Sequence, residues 1–150
     1  MEILPRFWIC YYNESYIHLL KEKKIRNILH ISKKESFTKM EHLEEIRIPI
    51  NYNEHDSIEH MNNILFQQLF DITEYIHDKL LTNQKILLIG YDDKQDIDNL
   101  ITAYLIRYGK LTVKDAILFL RSKKKNIFVP KILFYDSLNK FYEQLNKKRY

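Results

Sequence analysis

The sequence predicts a single α/β domain over residues 1–150, a three-layer sandwich whose central, mostly parallel sheet of four to five strands is flanked by helices. Three observations lead to this prediction. Segments with strand-like alternation are interleaved with segments of helical periodicity. Residues 85–89, Lys-Ile-Leu-Leu-Ile, form the short apolar run that is typical of a strand buried on both faces. No repeat or Pro/Gly/Ser-rich linker marks a domain boundary.

The first half of the chain contains three predicted strands and two predicted helices. Aromatic and β-branched residues favour the strands, apolar residues at helical spacing favour the helices, and Pro49 stops the third strand. In chain order the elements are a strand over 6–12 closed by Asn13, a short helix over 15–24, strands over 25–31 and 45–50, and the longest helix, from a cap at Asp56 or Ser57 to Leu80.

The second half begins with the central strand over 85–89. After a loop, apolar residues recur at helical spacing over 97–108. Gly109 then stands where a helix commonly ends on a left-handed residue, so we expect it to adopt that conformation.

Two further helices complete the predicted architecture. Thr112 and Asp115 have the spacing of a capping box, with Asp in place of the usual Glu, and predict the start of a helix whose basic end lies at 123–125. Apolar residues at helical spacing predict a last helix over 133–145.

Composition excludes several classes of protein. The chain has 24 basic and 20 acidic residues, and this net charge of +4 falls short of what nucleic-acid binding requires. Cys10 is the only cysteine, so an internal disulfide is excluded and we expect an intracellular, cytoplasmic location, with the nucleus as an alternative. No run approaches the ~18 apolar residues of a membrane span, so we expect no membrane association. Only Gly90 and Gly109 are glycines, which excludes Gly-rich nucleotide-binding loops.

The stretch around the central strand carries a family resemblance. Leu-Leu-Ile at 87–89, a loop over 90–96, Ile-Thr-Ala-Tyr-Leu-Ile at 101–106 and Leu-Thr-Val-Lys-Asp-Ala at 111–116 follow one another. This arrangement resembles the dual-specificity branch of the cysteine-dependent protein phosphatases. The resemblance extends over nearly the whole chain: it includes Ile3 to Tyr12, Ile25 to Ile31 and Ile48 to Ile50 upstream, and Pro130, Phe134, Leu138 and Phe141 downstream.

The family's catalytic signature is His-Cys, five residues, then Arg followed by Ser or Thr, and its Ala-Tyr-Leu placed on Ala103 fixes the register. Gly90 then replaces the nucleophilic Cys, and no phosphoryl-enzyme intermediate can form on glycine. Asp96 replaces the phosphate-binding Arg, which turns attraction into repulsion. The degenerate positions are Ile89 for His, Gly90 for Cys, Asp93 for the loop Gly, Asp96 for Arg and Ile97 for the hydroxyl residue.

An acidic cluster occupies the start of the helix that follows this loop. We expect these carboxylates, Asp92, Asp93, Asp96 and Asp98, to cap the helix as a solvated loop; a hard divalent cation is the less favoured interpretation, and no metal or other cofactor is predicted. The general acid that the resemblance implies falls near 51–53, where no carboxylate stands. Asp56 is either that acid in a shifted register or, as we expect, only a helix cap.

Two other groups of residues have competing interpretations. Cys10 lies in an apolar strand without a basic neighbour, so we expect it to be buried and inert. The six histidines lack metal-ligand spacing, and we expect surface or packing roles for most of them; they are His18, His30, His42, His55, His60 and His77.

The resemblance and the degenerate loop together predict an inactive phosphatase-like protein, a pseudophosphatase that serves signalling as an interaction module or scaffold. The expected partner is a protein, a phosphoprotein or kinase-pathway component included, bound away from the degenerate loop. Candidate interaction residues are Tyr52, Tyr91, Asp92, Arg121, Lys123, Lys124 and Lys125. The alternatives are residual metal-assisted hydrolase activity through Asp56, Asp92 and Asp93, and nucleic-acid binding through the basic segments 21–24 and 121–125. Homodimerisation is a further open alternative.

Overall fold

The structure is a computed structural model that describes residues 1–13, 16–32, 41–49, 58–91, 94–123 and 135–147. Five strands and five helices lie within these residues. The chain forms two compact units, Met1–Ile50 with Ile76–Ile97 and Asn51–Tyr75 with Asp98–Tyr150.

The first unit contains a five-stranded sheet. Its strands are β1 (Glu2–Leu4), β2 (Phe7–Tyr11), β3 (Asn27–Ser32), β4 (Glu44–Pro49) and β5 (Ile86–Gly90), in the spatial order β1-β2-β5-β3-β4. The pair β1 and β2 is antiparallel, and the three other pairs are parallel. This arrangement confirms the predicted α/β class with a mostly parallel sheet and places β5 at its centre.

Strand β5 is buried along its whole length, as its apolar run predicts. Leu88 pairs with Ile9 on β2 and with Leu29 on β3, so both edges of the strand are hydrogen-bonded. One face of the sheet packs against helix α1 (Tyr16–Lys23), where Leu20 joins a core cluster with Leu87 and Ile89.

The strand predicted over 6–12 is confirmed by β2, but the stretch from Ile3 to Tyr12 that resembles one family strand is divided. It forms the hairpin of β1 and β2 instead. Pro5 and Arg6 make the turn, and Arg6 has a left-handed φ of 69°. Because proline restricts its own φ and removes one backbone donor, the extended run is interrupted there.

Helices dominate the second unit. It contains most of α2 (Ile58–Leu81) and α3 (Lys94–Tyr108), and all of α4 (Val113–Lys123) and α5 (Tyr135–Lys147). The Arg107 guanidinium donates to the Phe70 carbonyl at 2.7 Å and to Thr73 Oγ1 at 3.2 Å. The Phe70 ring lies 4.6 Å from that of Phe141, so three helices meet at one cluster.

The ends of α3 and α4 test two local predictions. The capping interaction is confirmed, because the Asp115 N–H donates to Thr112 Oγ1 at 3.1 Å. The left-handed residue at the end of α3 is Lys110, with φ 59°, so the expectation for Gly109 is wrong. A Cβ added to Gly109 would lie 2.5 Å from the Leu105 carbonyl oxygen. Glycine at this position therefore lets the chain pass close to the backbone of α3. None of the helices in the described ranges is long and apolar enough to cross a membrane.

The position of β5 leads to a stability prediction. Leu88→Ala removes a side chain that is 0% exposed, and we expect the free energy of unfolding to fall by about 2–5 kcal/mol in urea denaturation. The matched control is Leu118→Ala, since Leu118 is 52% exposed and should change stability by less than about 0.5 kcal/mol. Equal losses in both variants would contradict the central position of β5.

Candidate functional site

The candidate site lies where β5 ends and α3 begins. Ile89 and Gly90 are the last two residues of β5, and both are buried. Tyr91 follows as a half-buried residue, and α3 starts at Lys94. The structure thus places the degenerate positions Ile89, Gly90, Asp96 and Ile97 on a strand end and the first turn of a helix, whereas Asp93 lies outside the described residues.

Ile97 fills the space beside Gly90. A Cβ added to Gly90 would lie 2.7 Å from Ile97 Cδ1 and 2.8 Å from its Cγ1, and Ile97 is 0% exposed. Carbon atoms in contact are normally about 3.5–4.0 Å apart. Any side chain at position 90 therefore requires Ile97 to move within a packed interior.

The backbone at this strand end is bonded to the sheet. The Gly90 carbonyl accepts from the Tyr12 N–H at 2.7 Å, and the Tyr91 N–H donates to the Ile31 carbonyl at 3.2 Å. A loop that binds an anion turns its N–H groups towards the ligand. The N–H group of Tyr91 is used within the protein instead.

The acidic residues on α3 are buried. Asp96 lies in the first turn of α3 and is 1% exposed, and Asp98, further along the helix, is 2% exposed. For these two residues the expectation of a solvated acidic loop is wrong, because both side chains lie within the protein interior. A carboxyl group in the first turn suits the partial positive charge of a helix N-terminus. Asp92 lies outside the described residues.

A hydrogen-bonded chain of three side chains lies on the other face of β5. His30 Nδ1 is 2.6 Å from the Tyr91 hydroxyl, and His30 Nε2 is 2.9 Å from Glu45 Oε1. The His30 and Glu45 side chains are each 1% exposed. We call Glu45, His30 and Tyr91 the polar relay. Because successive strand residues point to opposite faces, Tyr91 points away from the face of Gly90.

The proton positions in the polar relay follow from burial. Desolvation lowers the pKa of His30, while its hydrogen bond to Glu45 opposes that shift, so the imidazole is neutral near pH 7. A neutral imidazole has one donor and one acceptor nitrogen, and one tautomer satisfies both contacts: His30 Nε2–H donates to Glu45 Oε1 and His30 Nδ1 accepts from the Tyr91 O–H. Burial also raises the pKa of Tyr91, which keeps the phenol protonated as the donor.

Aromatic rings extend the relay towards solvent. The Tyr12 ring stacks on that of Tyr91 with centroids 4.7 Å apart, and it lies 6.0 Å from that of Tyr16. Tyr12 is 51% exposed, so it presents an open ring above the end of β5. Cys10 packs beside this group and is half-buried rather than buried as expected. Burial raises the pKa of its thiol to about 11, which disfavours the reactive thiolate.

The remaining sequence candidates do not join this cluster within the described residues. Arg121 and Lys123 are exposed in the last turn of α4, in the second unit. Tyr52, Asp56, Lys124 and Lys125 lie outside the described residues. No group of three His, Cys, Asp or Glu side chains in the described ranges could hold a metal ion. Sequence reasoning missed the functional interest of His30, for which the available signal was a histidine inside an apolar strand.

The architecture is that of the dual-specificity phosphatases. Human DUSP28 matches with a TM-score of 0.78 and 16% identity over 98% of both chains. A mouse putative dual specificity phosphatase complexed with zinc tungstate matches at 0.76 and 16% identity, over 99% of this chain and 89% of its own. Human tyrosine phosphatase-like serine/threonine/tyrosine-interacting protein matches at 0.72 and 18% identity, over 97% and 96%.

These likenesses show the fold. The sequence matches no family model, and no curated protein matches it significantly. The particular chemistry of this chain must therefore be argued from its own residues.

The polar relay leads to a prediction about pH. The folded-state pKa of His30 is lowered from its ordinary value of 6.5, so the unfolded chain binds the proton more tightly. Neutral His30 therefore contributes its full stabilisation of the folded state above pH 6.5. This stabilisation is lost as the pH falls towards the lowered pKa of His30. Urea denaturation between about pH 5 and pH 8 should show the free energy of unfolding decreasing below this point.

His30→Gln should flatten that decrease, because glutamine does not titrate. The control is His18→Gln, which changes an exposed histidine on α1 and should leave the wild-type slope. An unchanged slope in His30→Gln would remove His30 from the explanation.

Proposed function

We propose that this protein is a catalytically inactive member of the phosphatase fold that acts as a protein-binding module. The observation that carries the proposal is the pairing of Gly90 with Ile97. Position 90 supplies no nucleophile, and the space that a nucleophilic side chain needs is occupied by Ile97. The end of the strand therefore lacks both a nucleophilic atom and the space for a side chain that could carry one.

Charge supports the same conclusion. Asp96 stands where the family resemblance implies the phosphate-binding arginine, and it is buried in the first turn of α3. A carboxyl group offers no positive charge to a phosphate dianion and repels it when ionised. The Tyr91 N–H, already bonded to the Ile31 carbonyl, gives no compensating donor.

The comparisons are consistent with a binding role. One structure of this fold is that of human tyrosine phosphatase-like serine/threonine/tyrosine-interacting protein. In this chain, Tyr12 offers a contact surface for a protein, because its ring is half exposed and stacks on the ring of Tyr91. Rigid, partly exposed tyrosine rings are favoured in protein interfaces.

Assays with a small aryl phosphate test the absence of catalysis. We expect no hydrolysis by the wild type, with or without Mg²⁺, and no tungstate binding by calorimetry. Gly90→Cys should remain inactive, because the arginine is still missing. It should also lose about 1–3 kcal/mol of stability, because its Cβ overlaps Ile97.

A double-mutant cycle isolates the steric part of this expectation. Gly90→Cys should cost less stability in an Ile97→Ala background than alone, because the overlapping atoms are gone. An active dual-specificity phosphatase serves as the positive control. Wild-type turnover would contradict the proposal, and turnover that requires Mg²⁺ and disappears in Asp93→Asn would favour the metal-assisted hydrolase instead.

The binding role is tested at the Tyr12 ring. A protein captured specifically by the wild type should be lost with Tyr12→Ala, measured by quantitative affinity capture. Leu118→Ala is the control, because Leu118 is 52% exposed against 51% for Tyr12 but lies on α4 in the second unit. If both variants retain the same proteins as the wild type, Tyr12 is not the contact surface.

A further inference from the structure

A cavity lies at the other end of β5, where the strand begins. Its volume is about 440 Å³, and it is open to solvent. Two loops supply its walls: the one between α1 and β3, and the one between α2 and β5. The lining residues are Lys24, Arg26, Asn27, Asn83, Gln84 and Lys85. We call this cavity the basic pocket, since three of its six lining side chains are cationic and none is acidic.

The two loops are held together by Asn27. This side chain is 4% exposed, and its Nδ2 donates to Gln84 Oε1 at 3.0 Å and to the Lys85 carbonyl at 3.1 Å. Lys24 and Asn83 have left-handed φ values of 57° and 60°, which fix the turn after each helix. The pocket is thus formed in advance by partly buried hydrogen bonds and defined turns.

Helix ends account for only part of this positive charge. Cations favour helix C-termini, and Lys85 Nζ donates to the carbonyl of Lys23, the last residue of α1, at 2.7 Å. At the end of α2, the carbonyls of Lys79 and Leu80 accept from backbone N–H groups. These helix-end carbonyls therefore have hydrogen-bond donors other than the side chains of Lys24 and Arg26.

Nearby carboxylates are engaged by other lysines. Both Glu44 oxygens accept from Lys79 Nζ, at 2.9 and 2.8 Å, and Glu22 lies 3.7 Å from Lys23 Nζ. Among the described residues, no carboxylate forms an ion pair with a lining cation of the pocket. Positive charge in the pocket is consequently not neutralised by these acids.

We propose that the basic pocket binds a phosphoryl group carried by a protein partner. The Arg26 guanidinium and the Lys24 ammonium suit a dianion, since guanidinium binds phosphate oxygens in pairs and ammonium acts as a point charge. The lining contains no aromatic side chain on which a nucleobase could stack, which favours a phosphorylated peptide over RNA. The site lies at the opposite end of β5 from Gly90 and does not depend on the absence of catalysis.

Binding is tested with a fluorescent peptide that contains one phosphoserine and no other charged side chain. We expect the unphosphorylated peptide to bind at least about tenfold more weakly, and phosphopeptide affinity to fall with salt. Free inorganic phosphate is added as a competitor. It should displace the peptide fully if the pocket contacts only the phosphoryl group, and only in part if the pocket also contacts the peptide.

Charge reversal locates the site. The Lys24→Glu and Arg26→Glu double variant should weaken phosphopeptide binding at least about tenfold. The matched control, Lys114→Glu with Lys147→Glu, makes the same change in net charge on α4 and α5 and should alter affinity less than about twofold. In NMR spectra, the amide signals of Gln84 and Lys85 should shift on binding while that of Tyr91 stays.

Each contrary result overturns the proposal in a distinct way. No preference for the phosphorylated peptide would remove the phosphoryl assignment. Equal losses in both double variants would reduce the binding to net charge. Tighter binding of a single-stranded RNA oligonucleotide, lost in the pocket variant, would replace the protein partner by nucleic acid. Aryl phosphate turnover, by contrast, would contradict the proposed inactivity and leave the pocket result standing.

Discussion

Hydrogen bonding of β5 on both edges is the constraint on which the rest of the first unit depends. The strand has five residues, all buried, between β2 and β3. At about 3.3 Å per residue it spans roughly 17 Å. The loops that follow and precede it are therefore held at the two opposite ends of the strand. One end carries Gly90 against Ile97, and the other carries the basic pocket. The chemical contrast between these ends is therefore built on a single rigid element.

Much of the fold was predictable from local sequence. The apolar run of β5, the helical periodicity of α3 and the Thr112 cap each express a preference that lies within a few residues. Local signals were less reliable at turns. Pro5 and Arg6 divide the stretch from Ile3 to Tyr12 that resembles a single family strand, and Lys110 rather than Gly109 adopts the left-handed conformation. In each case one residue of a short polar link decides the path, and neighbouring residues offer competing solutions of similar energy.

The candidate site was predictable only in part, because its contacts are distant in sequence. The family register identified Gly90 and Ile97 as altered positions, but it did not indicate that one fills the space beside the other. Glu45 and Tyr91 lie 15 and 61 positions from His30, and the parallel order of β4, β3 and β5 brings them together. The basic pocket has the same origin, since Lys85 joins Lys24 only through the two adjacent loops.

Binding and folding compete for the same polar groups, and the two ends of β5 resolve this competition differently. At the Gly90 end, the Tyr91 N–H bonds to Ile31 and the Tyr91 O–H to His30, so groups that a ligand needs instead hold the protein together. At the Lys85 end, the helix carbonyls and Glu44 have internal partners, while Lys24 and Arg26 form no ion pair within the described residues. An excess of positive charge in a preformed pocket attracts an anionic ligand. Recognition is therefore expected where the cations of the protein are available, at the end of β5 that lies away from Gly90.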